Sequence, residues 1–316
     1  MRVRQYADLT QFGFRLSDKG VNWKEYKSKE EGEPLCTKSY KIMPGVEVYY
    51  NDYCTFKRFS GKMQMCDFFQ LAYSHSGIYE SRINSCRTLR LSAGEVMLIT
   101  NVVQSYDSCM PLGFYTGFNV MFYPELFASD TEDFFSHFSL NIIQLFKQLM
   151  SGKSVTVFSC CPHMLPVMES LFQACREGNI PHMKLRLLEV LMEVSAYQRS
   201  IDNHYQYISN KSFQVIQSVK EYIEQDMTKH ITIKELSEIF GISQTSLKDN
   251  FKAVYGYAPY EYLKRFRMNY AARLLKTTSL SVADISTQIG YENSSKFSSA
   301  FSNVYGVAPL SYRKSG

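Results

Sequence analysis

Several things are missing from this 316-residue sequence, and each absence closes off a class of protein. No apolar run reaches the ~18 residues that a membrane-spanning helix needs, so no membrane partner is expected. The opening stretch MRVRQYADLTQFGF carries basic residues but no continuous apolar segment; it does not read as a signal peptide, and a cytoplasmic location is expected. None of the eight cysteines (Cys36, Cys54, Cys66, Cys86, Cys109, Cys160, Cys161 and Cys175) forms a Cys-x-x-Cys pair, and none lies beyond Cys175. In a reducing compartment they read as small buried hydrophobes rather than a disulfide or zinc framework. The six histidines show no metal-ligand spacing, so neither metal nor cofactor is expected. Cys160, Cys161 and His163 lie close together but without a third orienting group, and no enzyme is expected.

Charge of one sign is also missing from most of the chain. Residues 1–210 hold 21 basic and 21 acidic residues, whereas 211–316 hold 14 and 9, so the whole formal excess of +5 sits in the last third. A basic excess confined to one domain is compatible with nucleic acid, although solvated helices often carry as much.

The chain is too long for one ordinary core, and two domains are expected. The first third lacks helical period. GVEVYY, CDFFQLAY, TLRLSAGEVMLI and GFYTGFNVMF are short runs rich in aromatic and β-branched residues, separated by Gly, Ser, Asn and Asp, and predict an antiparallel sandwich or barrel over about 30–125. The pattern changes near Pro124. LNIIQLFKQLM reads as helix, and two apolar stripes follow: Leu165, Met168, Leu171, Phe172 and Cys175, then Leu187, Leu188, Leu191, Met192 and Ser195 behind a first-turn Pro181. This αα pair is either plain core against the β domain or a dimer seam built on Leu165, Met168, Leu171, Phe172, Leu188 and Leu191; a stripe does not say what covers it. IDNHYQYISNK, 201–211, is polar and aperiodic and reads as a linker.

Beyond the linker one passage is written twice. LSEIFGISQTSLKDNFKAVYGYAPYEY, 236–262, matches ISTQIGYENSSKFSSAFSNVYGVAPLSY, 285–312. Gly241 answers to Gly290. After a one-residue insertion Leu247 answers to Phe297, Phe251 to Phe301, Tyr255 to Tyr305, Gly256 to Gly306, Pro259 to Pro309 and Tyr262 to Tyr312. Thr232 with Glu235, and Ser281 with Asp284, predict capping boxes. Gly241 and Gly290 stop the first helix of each copy, and Ser243 and Asn293 cap the second. Two helices across a short Gly-containing turn form a helix-turn-helix unit, whose second helix suits the major groove. PYEYLKRFRMNYAARLLKTT between the copies is long enough for one helix of about 18 residues, or about 27 Å. That approaches the ~34 Å of one DNA turn and would set two reading heads in successive major grooves.

With these residues in place, 213–313 resembles the DNA-binding domain of the AraC/XylS family of bacterial transcription regulators. The carriers are the duplicated motif, the linking helix, and the run from Ile289-Gly290-Tyr291 through Phe297, Phe301, Tyr305-Gly306, Pro309 and Tyr312-Arg313. The front part, with LRLSAGEVMLI, resembles more loosely that family's cupin-like sensor domain and its paired dimer helices. The resemblance implies an α+β protein of two domains: a cupin-like antiparallel β barrel over 1–140 with a helical dimerisation segment over 141–200, the linker 201–211, and an all-α double helix-turn-helix domain over 212–316. Its partners would be promoter DNA, a small-molecule effector, a second copy in a homodimer, and RNA polymerase.

Helical spacing puts Gln244, Thr245, Lys248, Asp249 and Lys252 on the outward face of the first reading helix. The family's base-contacting positions align with Thr245, Lys248 and Asp249. Asp249 either accepts from a cytosine amine or pairs with Lys248 or Lys252. The second reading helix offers Asn293, Ser294, Ser295, Lys296, Ser298 and Ser299, and the family's base-reading positions fall on its four serines. Serines hold phosphates well and discriminate bases poorly, so this unit is expected to anchor more than specify. On the linking helix Lys264, Arg265, Arg267 and Arg273 face either the DNA backbone or solvent.

Cupin folds often bind a metal through His-x-His with a distant Glu and His; here His75 stands alone in YSHSGIYESR. Phe68, Tyr73, Phe118 and Met121 either line a cavity for a partly apolar effector or serve as sheet core. Two functional readings follow: a ligand-responsive regulator, or an architectural DNA-binding protein whose front domain only dimerises or touches other proteins.

Overall fold

The computed structural model describes residues 9–30, 34–62, 68–83, 87–100, 105–150, 152–197 and 210–314. The chain divides into two compact units, Met1–Asn203 and His204–Gly316. It is an α+β protein: an antiparallel β unit covered by helices, then an all-α unit.

Eleven strands occur among the described residues of the first unit: β1 (Phe14–Lys19), β2 (Trp23–Ser28), β3 (Leu35–Met43), β4 (Val46–Tyr53), β5 (Phe59–Lys62), β6 (Phe69–Ile83), β7 (Arg87–Ser92), β8 (Glu95–Thr100), β9 (Ser105–Cys109), β10 (Tyr115–Phe122) and β11 (Val155–Ser159). The main path runs β1-β2-β3-β4-β10-β6-β8-β11, antiparallel throughout. The long β6 belongs to two sheets. Phe69–Tyr73 pairs with β8, while Ile78–Ile83 pairs with β7 and β9, and β5 pairs with β9.

The central strands of the main sheet, such as β4, β8 and β10, are buried on both faces, so they read as continuous apolar runs rather than as a clean alternation. Val96 and Leu98 point to the helix-covered face, where they join Val48, Leu71, Tyr73, Phe118 and Val120. Met97 and Ile99, the alternate residues, point to the opposite face with Ala72, Tyr53 and Tyr115. The phase of this alternation changes once within β6. Ser76 pairs with Thr116 and Ser74 with Gly117, which leaves His75 as an extra residue in a bulge. Before the bulge Gln70 and Ala72 face the inner side; after it Tyr79 and Ser81 do.

Four helices cover the outer face: α1 (Ser129–Ser136), α2 (Ile142–Met150), α3 (Met164–Glu177) and α4 (Ile180–Tyr197). The segment 141–200 is not purely helical. β11 sits inside it, pairs along the whole of Val155–Ser159 with β8, and stacks Phe158 on Tyr197 of α4 at 5.1 Å. Met168, Leu171, Phe172, Leu188 and Leu191 are buried in the core of their own unit, between α3, α4 and the sheet. They are packing residues of this unit and offer no surface for a dimer seam. Leu165 lies outside that core and is exposed, as is Met192; the buried stripes pass instead through Met164 and Val194.

The second unit contains α5 (Asn210–Gln225), α6 (Ile233–Phe240), α7 (Gln244–Tyr255), α8 (Pro259–Thr277), α9 (Val282–Gln288), α10 (Ser294–Tyr305) and α11 (Pro309–Lys314). Of the expected linker, 201–209 lies outside the described residues, and Asn210 and Lys211 already belong to α5.

Candidate nucleic-acid interface

Two helix-turn-helix units, α6–α7 and α9–α10, are joined by α8, whose 19 residues span about 28 Å. Each unit is built by the same local chemistry. Thr232 Oγ1 accepts from Glu235 N (3.2 Å), and Glu235 Oε2 accepts from Thr232 N (2.7 Å). Ser281 and Asp284 repeat the exchange at 3.1 and 3.2 Å. These reciprocal bonds satisfy N–H groups that the first helical turn leaves unpaired. Ser243 Oγ accepts from Ser246 N at 3.1 Å, and Asn293 Oδ1 accepts from Ser295 N and Lys296 N at 2.8 and 3.1 Å. One further duplicated pair holds the turns. Ser237 Oγ donates to Ile242 O (2.7 Å) and Ser286 Oγ to Tyr291 O (3.1 Å), each tying a turn back to its own first helix. Both serines fall in the repeat register, but a serine in a polar helix carries no mark of such a role.

The inward faces are aromatic and closed. Leu247, Phe251, Phe297 and Phe301 have no exposed surface. Phe251 packs on Tyr255 and Tyr262 at 4.8 and 5.4 Å, and Phe301 packs on Tyr305 and Tyr312 at 4.6 and 5.4 Å. The two copies satisfy the tyrosine hydroxyls differently. Tyr262 donates to Glu224, which also holds the nearly buried Lys220 at 3.4 Å. Tyr305 donates to Asn269 Oδ1 at 2.7 Å.

With the inward faces closed, the outward faces are free to meet a partner. Gln244, Thr245, Lys248, Asp249 and Lys252 are all exposed on α7. Among the described residues neither Lys248 nor Lys252 forms an ion pair with Asp249, so that carboxylate is open to a hydrogen-bond donor. Ser294, Ser295, Lys296 and Ser299 are exposed at α10, and Ser298 is half-buried. Asn293 is exposed, but its carbonyl oxygen is occupied by the cap and only its amide nitrogen faces outward.

The cations of α8 are more constrained. Glu261 holds Arg265 Nε at 3.2 Å and lies 4.0 Å from Lys264, while the Arg265 guanidinium covers the Tyr257 ring. The Arg267 side chain is engaged within its own unit. Its Nε donates to Met227 O (2.6 Å) and its Nη2 to Lys229 O (3.2 Å), and its guanidinium lies over the Tyr291 ring. The same loop carries Thr228, whose backbone faces Gly290 so closely that a Cβ there would lie 2.6 Å from Thr228 Cα. Arg267 and Gly290 therefore join the loop that precedes the first unit to the turn of the second. The two reading heads are held through this junction as well as through α8.

The four residues expected to line an effector cavity fall on two faces. Phe68 and Met121 line an inner cavity of about 150 Å3. Tyr73 and Phe118 are wholly buried on the other face, beneath the helices. Tyr73 donates to Glu169 of α3, which also meets His75 Nδ1 at 2.7 Å, and the His75 ring stacks on Phe172 at 4.0 Å. His75 thus fastens the β6 bulge to α3. Burial pushes the Cys160 thiol up to about 12, which keeps it neutral and unreactive.

A family model described as a helix-turn-helix domain matches residues 236–315. Over 98 residues the chain is 35% identical to the lactose operon transcription activator of Staphylococcus xylosus, covering 31% of this chain and 35% of that one. A longer match, 24% identical over 233 residues, relates it to the Msm operon regulatory protein of Streptococcus mutans, covering 72% and 77%. Among solved structures, the C-terminal domain of the two-component response regulator yesN of Fusobacterium nucleatum is 32% identical, with a TM-score of 0.30, over 32% of this chain and 98% of that one. The chain spans about a third of the length of the relatives that match it over this domain. Duplicated units on one linking helix define the second unit as a double helix-turn-helix domain. That domain is of the AraC type, and over it the chain is similar to regulators described as AraC-like.

Proposed function

We propose that the protein is a sequence-specific DNA-binding transcription regulator whose first unit holds a small-molecule effector. The observation that carries the reading is the pair of closed helix-turn-helix units. Each presents a polar, solvent-exposed second helix, and the chain's whole basic excess lies in this part of the sequence. The inner cavity supports the ligand-responsive reading over the architectural one, which requires a solid front core.

The two heads are chemically unequal. Gln244, Thr245 and Lys248 have the reach for paired contacts to base edges, and a good bidentate contact discriminates by ~1–3 kcal/mol. The serines of α10 are short and suit phosphates. Binding-site selection should therefore give more sequence information under α7 than under α10. Lys248→Ala should relax base preference in the first half-site, whereas Ser298→Ala should weaken all sequences slightly and alike. Equal information in both half-sites, or a changed consensus for Ser298→Ala, would contradict this division of labour.

Affinity should fall linearly with salt on logarithmic axes as bound cations are released. Removing a lysine that touches phosphate lowers that slope by about one. Arg267→Met should not lower it, because this guanidinium is committed to Met227 O and Lys229 O. It should instead cost about 1–3 kcal/mol of stability by leaving two carbonyls without their charged donor. An Arg267→Met protein with native stability and a shallower salt slope would return Arg267 to the DNA-facing set.

A further inference from the structure

The inner cavity says more about its occupant than that one exists. It is bounded by strands from both sheets, and its wall includes Phe14, Phe59, Leu91 and Met97. None of the described residues lining it carries a charge. Most of its hydroxyls are already engaged with each other. Thr37 Oγ1 and Tyr53 OH lie 2.7 Å apart, and both reach Asn51 Oδ1, at 3.0 and 2.9 Å. Tyr79 OH meets Ser108 Oγ at 2.7 Å, and that oxygen in turn lies 3.3 Å from Ser81 Oγ.

Two polar side chains in the wall differ. Gln70 of β6 and Asn119 of β10 are half-buried, and among the described residues neither side chain has a hydrogen-bond partner. Their strands are neighbours. Asn119 stands opposite Ala72 and Met121 opposite Gln70, so the two amides sit one row apart on the cavity face. Each carboxamide presents both a donor and an acceptor without a charge. Both side chains line the cavity and are open to a hydrogen-bonding group placed in it.

We propose that this cavity takes an electrically neutral molecule about the size of one six-membered ring, carrying a hydroxyl or amide group that Gln70 and Asn119 bind. The size follows from the volume, since a cavity of ~150 Å3 accommodates benzene. Neutrality follows from the wall: an ion entering it would lose its hydration and meet no opposite charge among the described residues that line it. An ionised carboxylic acid or an ammonium group is therefore disfavoured. The proposal deepens the effector reading above and rests on it only for the link to DNA.

The test uses the full chain and four probes that share one ring and differ in one substituent: benzyl alcohol, benzamide, benzoate and benzylammonium. Calorimetry at neutral pH should show the first two binding at least about a hundredfold more tightly than either ion. Gln70→Leu and Asn119→Leu should each weaken benzamide by about tenfold and leave ethylbenzene unaffected, because only the hydrogen bond is removed. Melting curves of the two variants establish that they fold. Three results overturn the proposal: an ion that binds as tightly as benzamide, no neutral probe bound at its solubility limit, or benzamide affinity unchanged in both folded variants. Affinity for a selected DNA site, measured with and without benzyl alcohol, judges the effector reading separately. Neutral binding without any change in DNA affinity would leave the ligand class standing and remove the regulatory role.

Discussion

Phe301→Ala should destabilise the second unit by about 3–5 kcal/mol, and Phe251→Ala by a similar amount. Both rings are fully buried, and each is the hub of an aromatic cluster that joins the second helix of its unit to the tyrosine three residues after the Pro restart. Removing either ring leaves a cavity between helices that are tied together at several other points and can collapse only partly. The measurement is denaturation followed by helical circular dichroism. The single tryptophan, Trp23, lies in β2 of the other unit and serves as an internal control, since its fluorescence transition should not move. An unchanged helical transition would contradict the inward placement of these rings. The first copy should lose slightly more. Phe251 packs beside Tyr255 and Tyr262, both fully buried, whereas their counterparts Tyr305 and Tyr312 are partly exposed.

A second large effect separates two glycines that the repeat makes equivalent. Gly241 has φ +61° and Gly290 φ +83°, a region that L residues other than Asn and Asp avoid. Around Gly241 a Cβ would meet nothing within 4 Å, while at Gly290 it would strike the Thr228 backbone. Gly241→Asn should therefore cost less than about 1 kcal/mol, because Asn tolerates the left-handed conformation. Gly290→Asn should cost about 2–4 kcal/mol, because a backbone neighbour has to move as well. It should also disturb the junction held by Arg267, so DNA binding should fall by more than the population of folded protein does. Equal effects of the two substitutions would mean that the turn of the second unit does not rest on the loop at Thr228.

What could be read in advance follows from the kind of signal each feature leaves. The double helix-turn-helix was legible because its glycines, prolines, caps and inward rings recur at fixed spacing. The role of Arg267 was not, because its partners are carbonyl oxygens some 40 residues away and any residue could supply them. The apolar helices are legible, but the stripes misplace Leu165 and Met192: each has an apolar residue just before it, Met164 and Leu191, that is buried instead. In the sequence Tyr73 and Phe118 look the same as Phe68 and Met121 for a related reason. Strands buried on both faces carry apolar residues in both phases, so composition does not show which set faces the cavity. β11 is not legible in the sequence, because five residues between helical segments carry no period.

The extra residue in β6 has a consequence for how the front unit tolerates change. Replacing His75 removes its contacts with Glu169 and Phe172 but keeps the count of residues along the strand. Deleting it would carry every later side chain of β6 to the opposite side. Tyr79 and Ser81 would leave the cavity, and Ile78 and Glu80 would enter it, bringing a carboxylate into a wall whose described residues carry no charge. At this point of the chain, length matters more than identity. Relatives that share the cavity should vary freely at the residue itself but never in the number of residues between Tyr73 and Tyr79.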